Sequence, residues 1–259
     1  MANWQVLSVR LLCRLLGQLL GLRHVPSRLR VMSYNIHHGR GADDRVDLAR
    51  IAGVIASFAP DVVALQEVDA GKRRSGGVDQ AIQLGEQLGM RAEYAVCMEH
   101  GCERYGIATL TKLPVLEVRT LELPIHAHRR TEPRRALLTR LAWPTPERTV
   151  AVVNTHLSVV RAERPGQIAA IAELANDDEV IVAGDLNCTP WSRALRVLRP
   201  KLRSATKRTR SWPARVPLFP IDHILVGGPL HVVESGGWTS GEARRASDHL
   251  PVVAVLEVA

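Results

Sequence analysis

Residues 180–190 read VIVAGDLNCTP. Val180, Ile181, Val182 and Ala183 make a short apolar run, the pattern of a strand buried on both faces. The run passes through Gly184 into Asp185 and Asn187, and Pro190 ends it. Alternation along a strand puts Asp185 and Asn187 on one face and turns Leu186 away. Burial without partners would cost on the order of 2–7 kcal/mol for a polar group and more for a charge. The segment is therefore either compensated inside the core or is a strand end that opens onto a site.

The same oddity recurs along the chain. The apolar segment 29–36 (LRVMSYNI) closes on Asn35, and 61–67 (DVVALQE) closes on Glu67. The segment 149–156 carries Asn154 and His156, 221–226 (IDHILV) carries Asp222, and Asp248 and His249 stand just before the apolar run 251–258. A single strand-end Asp usually caps a turn or helix. A whole series of such ends is better explained by strands whose tips converge on one cleft.

Helical spacing of apolar residues predicts helices over 45–59, 78–89 and 163–175. Short strands are expected at 106–111, 115–121, 135–142, 149–156, 179–184 and 230–234, in addition to those above. Strands outnumber helices, and the helix-bearing units sit in similar places in the two halves. This predicts an α/β protein in which two mixed β-sheets pack face to face with helices on the outer faces. The organisation expected is one domain, 29–259, after a leucine- and arginine-rich extension, 1–28.

The polar set limits the chemistry. Carboxylates and carboxamides without cysteine suit a hard divalent cation, Mg²⁺ or Mn²⁺, rather than structural zinc. Histidines beside carboxylates suit proton transfer. Amide donors offer hydrogen bonds to a phosphoryl oxygen. Lewis-acid neutralisation, an activated water and donors for developing charge are together what hydrolysis of a phosphoester requires.

In order and spacing, MSYNIHHG, ALQEVD, NTHL, GDLNCTP, PIDHIL and SDHLP resemble the motif series of the endonuclease/exonuclease/phosphatase (DNase I-like) superfamily. The likeness spans about 30–259. It implies a four-layer α/β/β/α sandwich and a role for each motif residue. Glu67 would hold the metal, helped by Asn35 and Asp248 directly or through water. His249, oriented by Asp222, would contact the scissile phosphate and act as general base or acid. Asp185 would position or deprotonate the attacking water. Asn187 and Asn35 would bind phosphate, and His156 would serve from the opposite side as phosphate ligand or acid.

The substrate is less constrained. Lys and Arg (34) exceed Asp and Glu (26), giving a net charge of +8 that suits an anionic partner. Basic stretches occur at 71–77 and 126–135, and no acidic residue lies between Asp185 and Asp222 while nine Lys and Arg do, from Arg193 to Arg215. A nucleic acid, a lipid phosphate and a small phosphorylated metabolite all fit a positive rim, with only Trp191 and Trp212 beside these stretches for base stacking. A non-catalytic module that holds nucleic acid or anionic membrane is the reading of another class. None of the motif side chains is missing, which favours an enzyme.

Residues 4–22 combine leucines with Arg10, Arg14 and Gln18 at every fourth position. Two readings stay open: a helix lying on an anionic membrane surface, or a helix packed on the domain or a free leader. Arginines within the apolar run argue against a spanning helix and against a signal peptide. The cysteines, Cys13, Cys97, Cys102 and Cys188, match no zinc or redox spacing and are expected to be reduced, with a Cys97–Cys102 bridge as the one alternative. A cytoplasmic monomer is expected, peripheral on the inner face of the membrane if the N-terminal helix binds it.

Overall fold

The computed structural model describes residues 26–125, 131–175, 179–206, 208–239 and 241–258. The first half runs β1 (Leu29–Asn35), α1 (Leu48–Phe58), β2 (Val62–Ala70), α2 (Gln80–Leu88), β3 (Arg91–His100) and β4 (Glu103–Thr111). The second runs β5 (Val115–Leu123), β6 (Arg134–Ala142), β7 (Thr149–His156), α3 (Arg164–Leu174), β8 (Val180–Asp185), β9 (Leu202–Ser204) and β10 (Asp222–Gly227). The chain then adds β11 (Leu230–Gly237), the single turn α4 (Ala243–Ala246) and β12 (Val252–Val258).

These strands form two six-stranded sheets, β11-β12-β1-β2-β4-β3 and β5-β6-β7-β8-β10-β9. Each sheet has one parallel pair, β1–β2 and β7–β8, and each pair is joined by a helix, α1 in the first sheet and α3 in the second. That is the layered, helix-flanked sandwich expected from the alternation of segments. The helices start where side chains satisfy free backbone amides: Asp47 accepts from Arg50 N at 2.9 Å before α1, and Asp79 from Ile82 N at 3.1 Å before α2.

The strands read as continuous apolar runs because both of their faces are covered. Alternate residues Leu29, Val31, Val62, Ala64, Val150, Val152, Ile181, Ala183, Ile224 and Val226 fill the layer between the sheets. The residues between them pack outward: Met32, Tyr34, Val63 and Leu65 under α1 and α2, and Val153 and Val182 under α3.

Topology brings the polar strand tips to one edge. Parallel β1 and β2 run toward it, and β12, antiparallel to β1, begins there. In the other sheet β7 and β8 run toward it and β10 begins there, so that Asp222 pairs in register with Asp185, and Asp185 with His156.

Sequence reasoning missed β3. Its side chains are mostly half-buried or exposed, as befits the edge of a sheet, so it lacks the apolar signal of the central strands. Asn154, which sequence places among the convergent tips, faces the other sheet instead. Its Nδ2 donates to the carbonyls of Leu65 (3.1 Å) and Ala108 (2.8 Å), and its Oδ1 accepts from Gln66 Nε2 at 2.9 Å. A fully buried carboxamide thus ties β7 to β2 and β4 across the sandwich. Cys97, Cys102 and Cys188 are free thiols, so no Cys97–Cys102 bridge forms; Cys13 and the leucine- and arginine-rich segment lie outside the described residues. Among the described residues no helix is long and apolar enough to cross a membrane.

Replacing Asn154 by leucine takes one buried donor from the carbonyls of Leu65 and Ala108 and one acceptor from the Gln66 amide, which keeps Ala64 O and Ser33 Oγ. The variant should lose about 2–4 kcal/mol of stability, read as a lower urea midpoint in equilibrium unfolding. An unchanged midpoint would show that the inter-sheet tie contributes nothing.

Candidate active site

Backbone geometry at two positions aims the acidic side chains. In β2 a bulge sets Gln66 and Glu67 against one residue of β4, between the pairs Leu65–Ala108 and Val68–Gly106, and Glu67 takes a left-handed φ of 57°. Such a conformation costs a non-glycine residue on the order of 1–2 kcal/mol. It sends Gln66 into the sandwich and Glu67 to the cleft. At the end of β8 an added Cβ on Gly184 would lie 1.9 Å from the Thr155 carbonyl oxygen. Only glycine permits that approach of β8 to β7, and the next residue is Asp185.

A continuous polar chain crosses the edge from one sheet to the other. Asn35 Nδ2 donates to Glu67 Oε1 at 2.9 Å and to Asp185 Oδ2 at 3.2 Å. Asp185 Oδ2 also faces His156 Nε2 at 3.5 Å and His249 Nε2 at 3.8 Å, while its Oδ1 accepts from Asn187 N at 2.9 Å. His249 Nδ1 meets Asp222 Oδ2 at 2.8 Å. Ser247 fixes the approach of the last strand: its hydroxyl donates to the Asn35 carbonyl at 2.8 Å, and the backbone N–H of His249 donates to its Oγ at 3.2 Å.

Burial makes these contacts electrically consequential. Asp185 and Asp222 are 2% and 0% exposed. Desolvation, then the neighbouring charge of Asp222, pushes the Asp185 carboxyl well up from its ordinary value, partly opposed by His249, Asn187 and Asn35. Burial alone would lower the His249 imidazolium, but the charge and hydrogen bond of Asp222, with Asp185 and Asp248, outweigh it and raise His249 to about 10. His156 goes the other way: burial, with Arg134 and His249 nearby, drives it well below 6.5. The site therefore presents one cationic and one neutral imidazole on either side of Asp185.

Of the residues singled out by sequence, Asn35, Glu67, His156, Asp185, Asn187, Asp222 and His249 come together. Asn187 spends its own amide on the Leu157 carbonyl at 2.9 Å, and its backbone carbonyl accepts from Arg164. Asp248 stands further out with its side chain half exposed, joined to the group through His37 Nδ1 at 3.6 Å. Glu67 fits a divalent cation: among the described residues no Lys or Arg pairs with it, and ring nitrogens of His37 and His38 lie within 4.8 Å of its carboxylate and of each other. Both histidines sit in a tight turn at φ 45°.

An open cleft of about 850 Å³ covers the group. Its walls include Lys72 and Arg74 from the 71–77 stretch, Arg134 from the 126–135 stretch, Tyr105 and Trp212. Residues 126–130 lie outside the described residues. Among the described residues, no arginine or lysine of 193–215 lines this cleft. Ser247 and the individual wall cations carry no signal in sequence beyond local composition; their places depend on how distant loops fold over the sheet edge.

Residues 32–249 match the Endonuclease/Exonuclease/phosphatase family, and the chain belongs to it. Members of that family typically hydrolyse phosphoesters and generally depend on a divalent metal. The chain is 23% identical over 253 residues to the uncharacterised protein YbhP of Escherichia coli strain K12, covering 88% of this chain and 96% of that one. Its fold is similar to that of an endonuclease/exonuclease/phosphatase from Beutenbergia cavernae, with a TM-score of 0.71, 24% identity, and 90% and 72% of the two chains covered. It is likewise similar to the human Nocturnin catalytic domain, solved with a bound sulfate anion, with a TM-score of 0.69, 19% identity, and 90% and 94% covered. At these identities the likeness to the solved structures is one of fold.

The charge on His249 is held chiefly by Asp222, so the neutral variant Asp222→Asn removes the larger force opposing burial and leaves only Asp185 and Asp248 against it. In the metal-free protein the His249 ring protons should titrate near 10 in the wild type and at clearly lower pH in the variant, followed by NMR. The same midpoint in both proteins would contradict the assignment.

Proposed function

We propose that the chain is a divalent-metal-dependent phosphoester hydrolase in which His249, Asp222, Asp185 and His156 carry the proton chemistry. The observation that carries this reading is the unbroken polar chain Asp222–His249–Asp185–Asn35–Glu67, held at the tips of strands from both sheets. Among the described residues Asp222 Oδ1 and His156 Nδ1 are buried without a hydrogen-bond partner, and Glu67 faces the cleft.

Glu67 would hold the cation, helped by Asn35 and Asp248 directly or through water. When bound, the cation would neutralise the phosphoryl oxygens and lower the barrier to attack. Asn35 keeps Glu67 and Asp185 at a fixed separation with its two amide hydrogens. His249 is charged at neutral pH, so it would donate to a phosphoryl oxygen or to the departing alkoxide from Nε2, while Asp222 holds its Nδ1. A charged imidazole has no lone pair to act as base, which leaves Asp185 to orient the water and take its proton. Asn187, whose backbone N–H holds Asp185, and neutral His156 would contact the phosphate from the other side.

A lipid phosphate is favoured as substrate by one further observation. Exposed apolar side chains flank the cleft, Val159 in its wall and Phe219 packed beside Trp212 at 5.8 Å between ring centroids. The other candidates remain nucleic acid and small phosphorylated metabolites.

The reading is tested on bis-p-nitrophenyl phosphate, p-nitrophenyl phosphate and vesicles containing phosphatidic acid. Turnover of at least one should require Mg²⁺ or Mn²⁺ and should fall about 10²–10⁴-fold in His249→Ala and in Asp185→Ala, with unchanged circular dichroism. Retained turnover in both variants, or turnover in EDTA, would overturn the assignment. Preference for the vesicles would select the lipid substrate.

A further inference from the structure

The cleft has a cationic wall that the proposed proton chemistry does not use. Its centre is the ring of Tyr105, in β4. Lys72 Nζ and Arg74 Cζ each lie 5.6 Å from the centroid of that ring. Arg74 is held from behind by Asp69, a fully buried carboxylate: Nε and Nη2 donate to its two oxygens, each at 2.8 Å. Ser75 Oγ donates to the same carboxylate at 3.0 Å. A fork-to-fork pair of this kind fixes the guanidinium plane, and among the described residues Nη1 of Arg74 makes no hydrogen bond.

Arg134 stands beyond Tyr105, linked to it through Glu132. The Tyr105 hydroxyl bonds to Glu132, and Arg134 Nη1 lies 2.8 Å from Glu132 Oε1. Arg134 is 5% exposed, and its Nε is buried with no hydrogen-bond partner among the described residues. An unpaired buried donor costs about 1–3 kcal/mol, more for a charged group, and a guanidinium cannot escape that cost by losing its proton. Arg134 lines the cleft, so its charge acts on an anion bound there. Two carboxylates, Asp69 and Glu132, offset two of the three cations. Lys72 pairs with no carboxylate among the described residues, so the wall keeps a positive charge.

We propose that Lys72, Arg74 and Arg134, arranged around Tyr105, form a second anion subsite, so that the preferred substrate carries another phosphate beside the one attacked. The inference rests on the phosphoester-hydrolase reading and narrows its substrate class. The neighbouring phosphate comes either from a terminal monoester or from the next link of a phosphodiester chain. In both cases the wall binds a group that does not react, and that binding orients the ester over Asp185 and His249.

The test compares kcat/KM for three oligothymidylates: dTpdT, which has one phosphate, pdTpdT, which adds a terminal monoester, and dTpdTpdT, which adds a second diester. At least one of the longer pair should exceed dTpdT by about tenfold, and which one does identifies the source of the second phosphate. Arg74→Gln should abolish that advantage. Lys72→Gln, which leaves the Asp69–Arg74 pair intact, should reduce it and guards against an unfolded Arg74 variant. Equal rates on all three compounds in the wild type, or an advantage that survives both substitutions, would overturn the proposal.

If none of the three is turned over, that bears on the hydrolase reading or on the nucleotide portion. The subsite is then judged by calorimetric titration of inorganic pyrophosphate in EDTA. Binding that weakens about tenfold in Arg74→Gln upholds the subsite. No binding, or equal binding in wild type and both variants, refutes it.

Discussion

Two carboxylates, Asp185 and Asp222, sit opposite each other at the ends of neighbouring antiparallel strands, both almost wholly buried, with Asp185 at the floor of the cleft. Placing like charges in a desolvated register is unfavourable unless a cation intervenes. His249 is that cation. It reaches the pair from the other sheet, on the loop that leads into the final strand, and bonds Asp222 while facing Asp185. The loop that leads into the last strand thus joins the two sheets at this edge.

The rest of the edge serves this constraint. Asn35 bridges from the first sheet to Asp185, and Ser247 clamps the Asn35 carbonyl to the His249 loop. The bulge that turns Glu67 to the cleft at a strained φ and the glycine that lets β8 approach β7 spend stability on geometry. Asn154 restores some of it deeper in the sandwich, where a single carboxamide joins three strands. Function and folding thus draw on adjacent positions of the same strands: His156 ends β7 at the site, and Asn154, two residues earlier, holds the sheets together.

Much of this is legible in sequence because burial on both faces gives the central strands an apolar signature, against which a terminal Asn, Glu, Asp or His stands out. The topology then does the convergence, since parallel strands joined by helices end on one edge. What sequence does not encode locally is where distant groups meet. Asn154 looks like a site residue from its neighbours, and only the facing backbone of Leu65 and Ala108 shows otherwise. Arg134 reads as one of several basic residues until Glu132, Tyr105 and His156 are seen around it. The opposite charge states of His156 and His249 follow from burial and from which carboxylate each ring meets, neither of which a linear pattern displays. The edge strand β3, half exposed, has too weak an alternation to register.

The central claim is that the buried charges at this edge are maintained for chemistry at the expense of stability. Asp185→Asn tests it directly, by thermal melting and turnover on the same preparation at about pH 9, below the His249 midpoint of about 10. A carboxyl whose folded-state pKa is raised by burial and by Asp222 stabilises the fold while protonated and loses that contribution as pH rises and it ionises. Removing the ionisable group should therefore raise the metal-free melting temperature by roughly 2–4 °C while turnover disappears. A lower melting temperature with turnover intact would contradict the account and make Asp185 a structural residue.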